Sequence, residues 1–119
     1  MPTVSRFAVE KGSYYRPSDN TVKMKAFLPK DGATSVFCLG DMSHAHRVAH
    51  GNQHVGQARR KDVLGYAQVA SSAVTECALT LAQSEPPPLH WNIESWPNDE
   101  DAQKALALEL ATQAVFVPV

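Results

Sequence analysis

Four of the five histidines fall within eleven residues: His44, His46, His50 and His54. Imidazole is a metal ligand and a base that titrates near neutral pH. His46, His50 and His54 recur every fourth residue, so one continuous helix would set all three on one face. Gly51 and Asn52 interrupt that spacing, and the helix is expected to end before His54. No Glu stands where an HExxH motif requires one, and Arg47 would place a cation beside any ion. The expectation is no metal and no cofactor here, but a solvated or helix-capping histidine face.

The stretch from Pro86 to Pro97 gathers two Trp, a His, an Asn and a Glu into twelve residues. Strand alternation puts His90, Asn92 and Glu94 on one face and Trp91 and Ile93, as core, on the other. The polar row could supply a general base, an amide donor and a carboxylate. The plainer reading, which the residues favour, is an exposed sheet face or a hydrogen-bonded latch holding the proline turn. A nucleophile is missing from the pattern: there is no GxSxG, no P-loop and no Cys near a His in sequence. The candidate binding residues are His90, Asn92 and Trp96, then His54 with Arg59 and Arg60.

Arg59, Arg60 and Lys61 form a short basic run that could contact phosphates, with Tyr14 and Tyr15 beside Arg16 as a stacking surface. The sequence pI of about 6.5 and the absence of a helix-turn-helix, zinc-finger or RNP motif weigh against nucleic acid as the main partner.

The elements that must position these groups are legible from periodicity and turn chemistry. A short strand is expected over 6–11, ended by Gly12, and a loop follows around Tyr14 and Tyr15. Val22, Met24 and Ala26 alternate with polar residues and predict a strand over 21–28. Pro29-Lys30-Asp31-Gly32 reads as a turn to a strand over 34–39, closing a hairpin. A helix capped by Asp41 or Ser43 runs to about Ala49, followed by a basic connector over 53–65. A weak helical stripe marks 66–76, a strand 78–83, and a polyproline-like crossing Pro86 to Leu89. A strand at 90–95 precedes the clearest element, a helix to Gln113 with Asn98 as N-cap and three acidic residues in its first turn. Ala102, Leu106 and Leu110 form its buried stripe, widened by Ala105 and Leu108. Residues 114–119 return to an apolar β-run, which Pro118 either ends or places at an edge.

This order predicts one domain over 1–119 of α+β class: a small mixed or antiparallel sheet with two or three helices packed on one face. The composition, 44% apolar and 19% charged, is that of a globular chain. No apolar run approaches the roughly 18 residues that span a bilayer, and Met-Pro-Thr-Val-Ser-Arg-Phe lacks the apolar region of a signal peptide. With Cys38 and Cys77 as lone thiols in apolar surroundings, the expectation is a cytoplasmic protein with both reduced. Charge is unevenly shared. Ten of the eleven Lys and Arg lie in residues 1–61, and eight of the twelve Asp and Glu lie in 62–119. Such a split favours an anionic ligand at one end, or contact between halves or copies. An apolar C-terminal edge strand favours a homodimer.

The segment from Pro87 to Val117 resembles the C-terminal signature of small, uncharacterised bacterial proteins. The shared pattern is Pro87-Pro88, His90, Asn92-Ile93, Trp96-Pro97, an acidic helix start at Asp101, an Ala/Leu helix with Leu110 and Ala111, and the tail Val115 to Val117. The connector with His54 and Gly65 is more loosely similar, while His44 to His50 has no counterpart. Such proteins are carried on mobile DNA, including integron gene cassettes, and the resemblance implies that origin without an activity. The combined expectation is a small binding or accessory protein that pairs with its own copies and takes a small-molecule or anionic ligand. The alternatives are a small hydrolase using His90 with Asn92 or Glu94, and a weak nucleic-acid binder through Arg59, Arg60 and Lys61.

Overall fold

The computed structural model describes residues 2–119. Val4, Phe7, Ala8 and Val9 place apolar groups on both sides of the first extended segment, so it needs cover on both faces. It becomes β1 (Thr3–Val9), interior to the main sheet. β2 (Tyr15–Arg16) and β3 (Thr21–Val22) form a separate two-stranded ribbon. The main sheet adds β4 (Thr34–Phe37), β5 (Val63–Ala70), β6 (Thr80–Gln83), β7 (His90–Glu94) and β8 (Val115–Pro118). All its pairings are antiparallel, in the order β6-β7-β4-β1-β5-β8. The helical segments are α1 (His44–Gly51), a π-helical turn (Asn52–Gly56), α2 (Gln57–Arg59), α3 (Ser71–Glu76) and α4 (Glu100–Gln113). The class is α+β with an antiparallel sheet, as the element pattern predicts.

The helices divide between the two faces of the sheet. On one face α3 and α4 bury Ala73, Val74, Ala107 and Leu110 against Val4, Val36, Ala67 and Ile93. Ile93 and Leu110 are fully enclosed, each stabilising the fold by about 1.5–3 kcal/mol relative to exposure. On the other face Val48 and Val55 of the arm from α1 to α2 pack on Phe7, Val9, Phe37, Leu39, Val63 and Tyr66. No helix of the described residues is long and apolar enough to cross a membrane.

Several elements depart from the sequence expectation, each for a packing reason. The chain does not hold a strand over 21–28. β3 stops at Val22 and a 3-10 turn, Met24–Ala26, follows. Ala26 and Phe27 are both fully buried, which a strand with one wet face cannot arrange but a tight turn can. β4 therefore pairs with β1 and β7 rather than closing a hairpin. Residues 66–70 are strand, not helix. β5 lies between β1 and β8, covered on both faces, so its sequence lacks the alternation that marks a half-exposed strand. The proline segment closes the β6–β7 hairpin: the Ser84 amide donates to the His90 carbonyl at 2.9 Å and the His90 amide to that of Pro87 at 3.2 Å. α4 is capped by Asp99, one residue after Asn98, whose carboxylate accepts from the Ala102 amide at 2.8 Å. Its buried residues are Ala107, Leu110 and Ala111, while Leu108 is exposed.

The largest departure is at Gly51. The helix does not end there. α1, capped by Ser43, runs through the π turn into α2, with the Gln57 amide reaching back to the Asn52 carbonyl. The reason is close approach. A Cβ on Gly51 would sit 2.5 Å from Phe7 Cε1, and one on Gly56 2.8 Å from the Lys61 carbonyl oxygen. These glycines let the arm lie down on the sheet, and Arg60, in the left-handed region at φ 54°, ends it.

Candidate anion-binding cleft

The arm, β1, β4, β7 and the proline turn enclose a cleft of about 180 Å³. Its walls are Arg6 and Phe7 of β1, Ser35 and Phe37 of β4, His90 of β7, Pro87, and His54, Val55, Ala58 and Arg59 of the arm. The cleft exists because β1 and β4 are paired at only one position, Ser5 with Phe37. Beyond it the Arg6 guanidinium takes over the ladder's role, donating to the Ser35 carbonyl at 2.8 Å. Its other terminal nitrogen donates to the Tyr14 hydroxyl at 2.6 Å, with the guanidinium 5.0 Å from the Tyr14 ring centre. Arg6 Nε is buried with no partner among the described residues.

Arg6 is a largely buried cation, and desolvation lowers its pKa; the neighbouring Tyr14 counters this and Arg59 adds to it. Burial alone would raise the Tyr14 phenol, but the charges and hydrogen bonds of Arg6 and Arg59 together pull it below its ordinary value. Arg6 is bonded to the phenol, and the charge of Arg59 acts on it from the arm. No carboxylate lines the cleft. Among the described residues the side-chain ion pairs are Arg16 with Asp19 and Lys104 with Glu100, neither at this site. A buried cation without a counterion is costly, and the field it leaves favours an anion.

His90 is fixed at both nitrogens. Nδ1 lies 2.8 Å from the Ser84 carbonyl oxygen, to which it must donate, so Nε2 is the acceptor and the Ser35 hydroxyl donates to it. Cross-strand pairing explains the meeting: Phe37 faces His90 and Ser35 faces Asn92 in the β4–β7 ladder. The latch expected for the proline turn is therefore real hydrogen bonding, and it also aims the imidazole. The turn is tied further by Glu85, whose carboxylate accepts from the Leu89 amide at 3.0 Å and from Gln83 at 2.6 Å.

The other expected site residues fall into four places. His54 and Arg59 join His90 in the cleft. Asn92 lines an adjoining hollow that shares Arg6, Ser35 and Arg59 and includes both Lys30 and Asp31. Arg60 and Lys61 turn away to a separate hollow with Glu10 and Asp62. Trp96 lies with the core of the opposite face, its indole N–H donating to the Ile93 carbonyl at 3.0 Å. Glu94 pairs with Thr80 on the outer β6 strand. Tyr15, expected to offer a stacking surface, is stacked on Phe116 at 3.7 Å.

The histidine run has separate tasks. His44 Nδ1 meets the Tyr66 hydroxyl at 3.0 Å. His50 and His54 are adjacent, with ring centres 4.4 Å apart, and His50 Nε2 lies 3.0 Å from the Pro88 carbonyl, tying the arm to the proline turn. Burial, then the His54 charge, depress the His50 pKa against the opposing Pro88 bond. Arg47 is spent on structure, donating to the Met42 and Gly40 carbonyls and to Gln68. Among the described residues no three His, Cys, Asp or Glu side chains are grouped to hold a metal. Both cysteines are free and half-buried.

Sequence reading missed Arg6 and Ser35 as members of the site, and gave Tyr14 a stacking role rather than its bond to Arg6. Arg6 carried one usable signal, a charge between Val4 and Phe7 in an otherwise apolar strand. Ser35 carried none, since its role depends on strand pairing. Comparison with protein-family models, with curated proteins and with solved structures found no match.

Proposed function

We propose that this chain is a small binding protein whose cleft receives a compact anion, a carboxylate or phosphate group. One observation carries the reading: Arg6 and Arg59 both line a cleft whose walls hold no carboxylate, the one in the adjoining hollow being Asp31. His54 and His90 add donors or acceptors around the same space. A ligand anion would supply the counterion that the fold leaves out. Calorimetric titration with phosphate and with succinate tests this. Saturable binding that weakens strongly with added salt and falls about tenfold or more in Arg59→Ala supports it. Identical weak heats in both proteins would refute it.

The reading includes self-association through β8. This strand is an edge, paired in the sheet only with β5; Val115 within it and Val119 just after it are 65% and 61% exposed. Leu108 on the neighbouring α4 is 55% exposed, extending the same apolar margin. Two copies of one edge can pair across a twofold axis. Light scattering should give a dimer that persists at high salt and becomes a monomer in Val115→Lys. A wild-type monomer at high protein concentration would remove this part of the reading.

A further inference from the structure

We infer that Ser35 and His90 form a nucleophile–base pair that hydrolyses small esters whose acyl group carries an anion. This rests on the anion-binding reading of the same cleft and adds a reaction to it. Three geometric facts support it. The Ser35 hydroxyl donates to His90 Nε2, so the base already accepts a hydrogen bond from the group whose proton it must remove. The Ser84 carbonyl, 2.8 Å from Nδ1, fixes the required tautomer and favours the imidazolium that would form. Both side chains open into a half-enclosed space bordered by two guanidiniums.

The chemistry closes without a further reagent. Ser35 Oγ attacks the ester carbonyl carbon as its proton passes to His90 Nε2. The tetrahedral oxyanion lies in the field of Arg6 and Arg59. Collapse breaks the bond to the alcohol oxygen, which takes the proton from His90 and leaves. Water then attacks the Ser35 ester, giving a proton to His90, and breakdown returns that proton to Ser35 Oγ and releases the carboxylic acid. The net change is ester plus water to acid plus alcohol.

The space also limits the substrate. About 180 Å³ of half-open space is enough to seat a short dicarboxylic acyl group. Arg6 and Arg59 would hold the free carboxylate, and the alcohol would lie toward solvent. The neighbouring Asn92, on the same face as Ser35, borders the hollow through which a longer acyl group would extend.

The test compares the 4-nitrophenyl hemiester of succinic acid with neutral 4-nitrophenyl acetate, and follows a fluorophosphonate probe by peptide mass spectrometry. The expected result is a kcat/KM at least about tenfold higher for the hemiester. Ser35→Ala should fall to the buffer rate while keeping the wild-type melting temperature, and the probe should label Ser35 alone. No hydrolysis and no Ser35 adduct in folded wild-type protein would overturn the inference while leaving anion binding to its calorimetric test. Ser35-dependent hydrolysis without preference for the hemiester would overturn the anionic substrate, and with it the anion reading of the cleft. Equal rates in wild type and Ser35→Ala would overturn the role of Ser35.

Discussion

Tyr14 reports the electrostatics of the cleft without any ligand. Its phenol is partly buried, which opposes ionisation, yet two guanidiniums reverse the direction. Ultraviolet titration of tyrosinate should therefore show a step below the usual value of about 10, and Tyr14→Phe should remove it. A titration with no step below that value would mean that Arg6 and Arg59 together do not outweigh the burial of the phenol. His50 gives the second test at this scale. Its folded pKa is depressed by burial and by His54, so the unfolded chain binds the extra proton first as pH falls. Above the ordinary histidine range, stability is unaffected by this group. It is lost as pH drops from about 7 through the folded pKa. The melting temperature should fall as pH drops below about 7, and His50→Gln should flatten that slope. An unchanged slope in the variant would assign the pH dependence elsewhere.

At the scale of elements, the arm from α1 to α2 decides whether there is a cleft at all. Helix propensity alone says that Gly51→Ala should stabilise the protein by up to about 1 kcal/mol. The structure says the opposite, because the new methyl would meet the Phe7 ring at 2.5 Å. The expected outcome in urea unfolding is a loss of roughly 1–3 kcal/mol; a gain would mean that the arm does not lie on β1. The same glycine shows where sequence reading stops. As a local signal Gly51-Asn52 ends a helix, and only the sheet beneath explains why the helix passes through it. α4 was legible because its acidic first turn and apolar spacing are local. The β7 alternation was legible for the same reason, with His90 and Asn92 facing one way and Ile93 buried on the other. β5 was not, since burial on both faces erases alternation. The meeting of Ser35 with His90 was not, since it joins residues 55 positions apart through strand register.

At the scale of the molecule, the uneven charge has a local expression. Of the ten basic residues in the first 61, Arg6 and Arg59 reach the cleft, one from β1 and one from the arm's end. The other half contributes His90 and the proline turn. The cleft therefore needs both halves folded together, with β1, β4 and β7 as its floor and the arm as its roof. Its central property is positive potential in a small, half-enclosed space. The most direct measurement is a phosphate titration followed by backbone and histidine-ring NMR shifts at fixed ionic strength. The account predicts saturating shifts concentrated at Arg6, Ser35, His54, Arg59 and His90. Shifts that never saturate, or that gather instead at Arg60 and Lys61, would contradict it.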